Sequence, residues 1–128
     1  MNKGIYCLLI YLEKEQSIRI GNKKTIFPKG YYCYVGSALN NLQKRIERHK
    51  SKNKKKHWHI DYFLEKAKIL DVKTLKTKKR KECWLSNEIK SFKGRTIMKK
   101  FGSTDCNCET HLYYFQKNPK DKLNNIFK

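Results

Sequence analysis

Five side chains of reactive type stand in a fixed order along this chain. They fall in Gly4-Ile5-Tyr6, Tyr34-Val35-Gly36, Arg45-x-x-x-His49, and Glu82 within an otherwise basic stretch. Together they meet the needs of a single-metal phosphodiesterase: a base for water, a cation for the phosphate and one ligand for a divalent ion. A tyrosine beside a metal and an arginine can lose its proton and act on water, although tyrosines are also favoured as strand core residues. Arg45 lies nine residues after Gly36 and four before His49. Its planar fork suits a phosphate whose charge grows in the transition state. One helical turn away, His49 could donate to the same phosphate or protonate the leaving oxygen. Arg48 has neither spacing and reads as a contact to a nucleic-acid backbone. Glu82 suits Mg2+ or Mn2+, hard ions that prefer oxygen. Glu88, six residues on, is its rival, and that separation puts the two on different helical faces.

Two further clusters carry metal-binding residue types. His57, His59 and Asp61 alternate, so an extended segment would place them on one face, as ligands or as a hydrogen-bond cluster. Cys106-x-Cys108-x-x-His111, with Cys83 or His57 nearby, has the ligand types of a structural Zn2+ site. Its one-residue cysteine spacing is shorter than usual, and thiols packed under Trp84 are the other reading. Phe101-Gly102-Ser103 with Asp105 could shape a phosphate-facing turn.

The elements that must position these groups read as a single α+β domain over residues 1–116, with a polar tail at 117–128. Ile5 to Leu12 is nearly continuously apolar, as in a buried central strand. Ile18 to Phe27 reads as a hairpin turning at Gly21-Asn22, and Tyr31 to Val35 as the next strand, broken by Gly36-Ser37-Ala38. Asn40 or Asn41 caps a helix from about Leu42. Ser51 to Lys56 reads as an exposed loop, and His57 to Lys66 as a helix or an extended segment leading into one. Ile69 to Thr74 alternates as a strand. Arg80 to Phe92 is an amphipathic helix burying Trp84, Leu85, Ile89 and Phe92, and Leu112 to Phe115 is a short strand.

Charge points to the partner. The 128 residues carry 31 Lys plus Arg against 11 Asp plus Glu, a formal net charge of +20. Such an excess favours a polyanion, most often a phosphate backbone bound through counterion release. The charge is also clustered: Lys44 to Lys56 holds eight basic residues against Glu47, and Lys66 to Lys81 holds eight against Asp71. Arg48, Lys50, Lys54, Lys55, Lys56, His57 and His59 are accordingly the expected nucleic-acid contacts. No run of 18 apolar residues exists, so no membrane span is expected. Five cysteines without a recognisable signal segment fit a reducing cytoplasm.

The order of Gly4-Ile5-Tyr6, Tyr34-Val35-Gly36, Arg45, His49 and Glu82 resembles the GIY-YIG nuclease superfamily. More narrowly, the chain looks like a related family of unknown function with the strings YVGSA, HWHIDY, EC and FGSxDCxCxxHL. Here these are Tyr34 to Ala38, His57 to Tyr62, Glu82-Cys83, and Phe101 to Leu112. The resemblance implies a small central antiparallel sheet flanked by helices and metal-dependent cleavage of DNA. It implies Tyr6 as base, Tyr34 as supporting hydroxyl, and Glu82 rather than Glu88 as ligand. The 27 residues between Tyr6 and Tyr34 exceed the superfamily's usual spacing, which the Ile18 to Phe27 hairpin explains. The apolar segment ending in Asn that often follows the glutamate helix is missing. A non-catalytic nucleic-acid-binding module with the same fold, and a structural zinc domain binding RNA, are the other functional classes.

Overall fold

The computed structural model describes residues 3–79, 81–104 and 106–127. Arg80, the expected helix start, and Asp105, the expected turn residue, lie outside them.

The sequence forms β1 (Gly4–Leu12), β2 (Gln16–Ile20), β3 (Lys23–Phe27), β4 (Gly30–Ala38), α1 (Leu42–Lys50) and α2 (His59–Leu64). It continues with β5 (Lys68–Lys76), α3 (Glu82–Lys90), β6 (Arg95–Thr96), β7 (Leu112–Phe115) and α4 (Lys120–Ile126). Five strands pair antiparallel in the order β5-β1-β4-β7-β6, and β2-β3 is a separate hairpin. The expected α+β class, with inner β1 and β4 and an inserted hairpin, is what the chain adopts.

Side-chain alternation along β1 explains its unbroken apolar run. Tyr6, Leu8, Ile10 and Leu12 enter one core with Leu42 and Ile46 of α1, Ile60 and Phe63 of α2, and Ile18, Ile20 and Phe27 of the hairpin. Ile5, Cys7 and Leu9 enter a second core on the opposite face, with Leu85 and Ile89 of α3 and Leu123 of α4. Burying each such aliphatic side chain is worth about 1.5–3 kcal/mol, so both faces of the sheet need helices. β5 closes one edge with Lys68, Lys73 and Lys76, charges that discourage further pairing there.

Four expectations are corrected. β4 does not break at Gly36 but runs to Ala38, because Gly4, Ile5 and Tyr6 pair with Ala38, Ser37 and Gly36. Residues 57–61 are not one extended face: α2 begins at His59 and turns Asp61 inward. Trp84 is 44% exposed, whereas Leu85 and Ile89 are buried as expected, with Ser86 beside them. Residues after 116 are more than a polar tail, because α4 inserts a fully buried Leu123.

Asn41 is the observed cap of α1, its Oδ1 accepting the Lys44 N–H at 3.0 Å. At the other end, Lys54 Nζ donates to the carbonyls of Arg48 (3.0 Å) and His49 (2.8 Å). Both carbonyls lie in the last turn of the helix, where the Arg48 carbonyl also accepts the Ser51 N–H, and a cation there meets the negative end of the helix dipole. Lys54 is therefore a structural cap and not a free phosphate contact, and the 51–56 loop is not uniformly exposed. Lys54→Ala is expected to lower stability by about 1–2 kcal/mol. Lys55→Ala should stay within about 0.5 kcal/mol and, if Lys55 meets a phosphate, flatten the salt dependence of DNA binding by about 0.9. Denaturant melts and salt titrations check both.

Candidate active site

Register sets the site. Tyr6 stands opposite Gly36 and Leu8 opposite Tyr34, so the two tyrosines are diagonal neighbours on one face, ring centroids 6.5 Å apart. The glycine is required: a Cβ at position 36 would overlap the Tyr6 phenol. At Gly4 a Cβ would press on the Leu75 carbonyl oxygen at 2.5 Å and on Leu42 at 3.1 Å, where α1 and β5 approach the end of β1. The glycines of the two tyrosine motifs are thus explained by close approach.

A cleft of about 370 Å3 opens over this end of the sheet. Tyr6, Tyr34, Arg45, His57, His59 and Glu82 all line it, from β1, β4, α1, the start of α2 and α3. Glu82 is half-buried and makes no ion pair among the described residues, despite the protein's large positive charge. A lone carboxylate beside hydroxyls and imidazoles is an oxygen-rich donor set that fits Mg2+ or Mn2+.

His49 does not line the cleft. It is 2% exposed and sits behind Tyr6, its Nε2 2.7 Å from the phenol oxygen. The expected direct reach into the cleft is replaced by this contact with Tyr6. Burial, with the charge of Lys54, lowers its pKa to about 4, so the ring is neutral at pH 7. Burial pushes the Tyr6 phenol well above its usual range, with Arg45 pulling the other way. Burial, then Tyr6 and Glu82, raise Tyr34.

Arg45 is held from two sides. Its guanidinium donates to the Ser37 carbonyl at 3.1 Å and stacks 4.4 Å from the Trp58 ring centroid. Arg48 lies 4.3 Å from the same ring centroid, so one indole carries both guanidiniums. Arg48 itself is not a free phosphate contact: its fork pairs with both Asp61 oxygens at 2.9 Å, and it donates to the Lys55 carbonyl. Asp61, fully buried, also accepts the N–H groups of His57 and Trp58, each at 2.9 Å. Although burial pushes its pKa up, these donors hold it below the usual value. Asp61 is taken up by structural donors, and of the two histidines only the His57 backbone N–H reaches it, so the three side chains are gathered neither as a metal triad nor as an imidazole–carboxylate cluster.

His59 Nδ1 accepts the Gly102 N–H at 3.1 Å, and burial lowers its pKa. His57 and Lys55 are exposed beside the cleft, and Lys56 pairs with Glu65 at 2.8 Å. Lys50 borders a different hollow, with His49, Lys52 and Asp71, whose lining includes neither Tyr6 nor Tyr34. At the start of α3, Cys106, Cys108 and His111 gather with Cys83, their ligand atoms all within 4.8 Å of one another. This group can hold a metal ion. Sequence reasoning missed Trp58 and Thr104 in the cleft wall, which Gly102 of the 101–103 turn also lines. The aromatic between His57 and His59 was the one available signal, since guanidiniums stack on indole faces.

The architecture is a helix-flanked antiparallel sheet with a tyrosine-lined cleft at one end, in which Arg45 and Glu82 are the charged groups among the described residues. The chain belongs to the family described as Domain of unknown function DUF123, which matches residues 5–128. No curated protein and no solved structure matches it. No helix among the described residues is long and apolar enough to cross a membrane.

Proposed function

We propose that this protein is a metal-dependent endonuclease that hydrolyses DNA phosphodiester bonds. The observation that carries this reading is the convergence of Tyr6, Tyr34, Arg45 and Glu82 on one cleft, with His49 hydrogen-bonded behind Tyr6.

Glu82 would hold Mg2+ or Mn2+, which supplies Lewis-acid stabilisation of the phosphate charge. Arg45, oriented by Ser37 and Trp58, binds the phosphate and stabilises the charge that grows on it. Tyr6 cannot be a standing phenolate at pH 7, since burial keeps its proton on. It can instead take a proton from the attacking water while passing its own to neutral His49 across the 2.7 Å hydrogen bond. Burial first, and then the charges of Lys54, Arg45 and Arg48, disfavour protonated His49 in the free protein. A phosphate bound at Arg45 offsets that field, so His49 becomes a better acceptor when substrate is present. Tyr34 supports the Tyr6 side of the cleft, and Lys55 extends the basic surface outward from His57 on the cleft wall.

The test is an Mn2+-dependent cleavage screen over duplex, branched and flap DNA, with RNA counterparts. Cleavage of DNA is expected, and Tyr6→Phe should keep fold and DNA binding while turnover falls by about 100-fold or more. Tight binding with no cleavage of any substrate would make the protein a binding module. Cleavage of RNA alone would move the substrate class.

A further inference from the structure

The thiol and imidazole cluster lies outside the proposed phosphodiester chemistry, and its surroundings are built to hold it. Ser86, one turn after Cys83 on α3, donates to the Thr110 carbonyl at 3.1 Å and pairs with the Tyr113 hydroxyl at 2.6 Å. This locks the Cys83 face of α3 onto the segment that leads into β7. That segment is closed on itself: Lys100 N–H donates to the Glu109 carbonyl at 2.6 Å and His111 N–H to Phe101 at 2.9 Å. Ser103 Oγ reaches the Cys108 carbonyl at 3.2 Å, and Lys100 Nζ the Cys106 carbonyl at 2.8 Å.

Inside this frame, Cys106 Sγ is 3.5 Å from His111 Nε2, and the four ligand atoms lie within 4.8 Å of one another. Zinc bonds of about 2.3 Å to sulfur and 2.0–2.1 Å to nitrogen put tetrahedral ligands roughly 3.5–3.8 Å apart. The cluster needs only a slight contraction to reach that spacing. All five cysteines are free thiols. Three sulfurs and one imidazole, with no carboxylate, select zinc over magnesium or manganese. Four protein ligands also leave no open position for substrate, which marks a structural site.

We propose that Cys83, Cys106, Cys108 and His111 bind one structural Zn2+ that clamps the start of α3 to the 101–111 loop. The consequence reaches the cleft from both ends of the clamp. Glu82 immediately precedes Cys83, and Gly102 and Thr104 of the same loop line the cleft, Gly102 against the Tyr34 ring. The zinc thus sets where Glu82 stands without taking part in the reaction. It is independent of the nuclease reading, because its test measures metal directly.

The full chain purified from zinc-supplemented cells should carry one zinc per molecule by elemental analysis, and chelation should lower its thermal midpoint. Exchange with Co2+ should produce thiolate-to-cobalt charge transfer and the d–d bands of a tetrahedral site. Cys83→Ser and Cys108→Ser should each weaken zinc binding by well over about tenfold. Cys33→Ala, in the opposite core, and Glu82→Gln should keep the metal. The cobalt spectrum of the unsubstituted protein decides the matter even if a cysteine variant fails to fold. Metal-free protein with an unchanged melt in chelator would overturn the proposal, as would a disulfide within the cluster. Loss of zinc in Glu82→Gln would overturn the four-residue ligand set.

Discussion

Glu82→Gln is expected to reduce divalent-dependent cleavage by about a thousandfold, the scale of losing roughly 4 kcal/mol of transition-state stabilisation. The substitution is nearly isosteric and the side chain makes no ion pair among the described residues, so folding should hold. DNA binding should be kept or strengthened, because a negative charge leaves a cleft that receives phosphate. Single-turnover cleavage beside a binding titration separates the two effects. Glu88 offers no substitute: it is exposed and lies outside the cleft lining. A Glu82→Gln protein that cuts at the wild-type rate would remove the carboxylate, and any ion it holds, from the mechanism.

The largest stability effect is expected at Asp61. Its carboxylate is fully buried and accepts from both Arg48 nitrogens and two backbone N–H groups. Asp61→Asn keeps the shape, but it leaves the Arg48 charge without its partner and turns one acceptor into a donor facing donors. Breaking a buried pair from one side costs about 3–5 kcal/mol, and partial exposure of Arg48 puts this case near the lower figure. That corresponds to a fall in thermal midpoint on the order of 10 °C. Because α1 and the start of α2 are joined here, Arg45 should lose its Trp58 support as well, and cleavage should weaken.

The pH dependence follows from the sign of each shift. Asp61 has a folded pKa below its ordinary 3.8, so its contribution is complete above that value and is lost as pH falls through the folded pKa. The gap in melting temperature between wild type and Asp61→Asn should therefore be constant near neutrality and narrow below about pH 4. His49, at about 4 folded against an ordinary 6.5, adds an earlier loss. Between those values the unfolded chain binds the proton that the folded chain refuses, so stability falls as pH drops from 6.5 towards 4. A thermal melt series from pH 8 to pH 3 reads both windows. A gap that stays constant down to pH 3 would mean that Asp61 is not held ionised by these donors.

Local pattern alone determined a good part of this protein. The apolar run of β1, the Gly21-Asn22 hairpin, the Asn41 cap and the amphipathic α3 are all encoded within a few residues, where period, turn chemistry and capping act. The resemblance in residue order singled out Tyr6, Tyr34, Arg45 and Glu82, and the fold brings them to one cleft. Tertiary structure decided what the remaining charged and polar groups do. Arg48, Lys54 and Lys55 look alike in a basic stretch, yet Arg48 is taken by Asp61, 13 residues away, and Lys54 by the end of α1. His49 reaches Tyr6 across 43 residues and ends behind it, where burial changes its proton affinity. Trp58 gains its role only because α1 and the start of α2 pack with two guanidiniums on its ring, and Cys83 joins Cys106, Cys108 and His111 only because Ser86 docks α3. The reason is physical: spacing along the chain determines which face a side chain takes, whereas desolvation and pairing depend on what arrives opposite it from a distant segment.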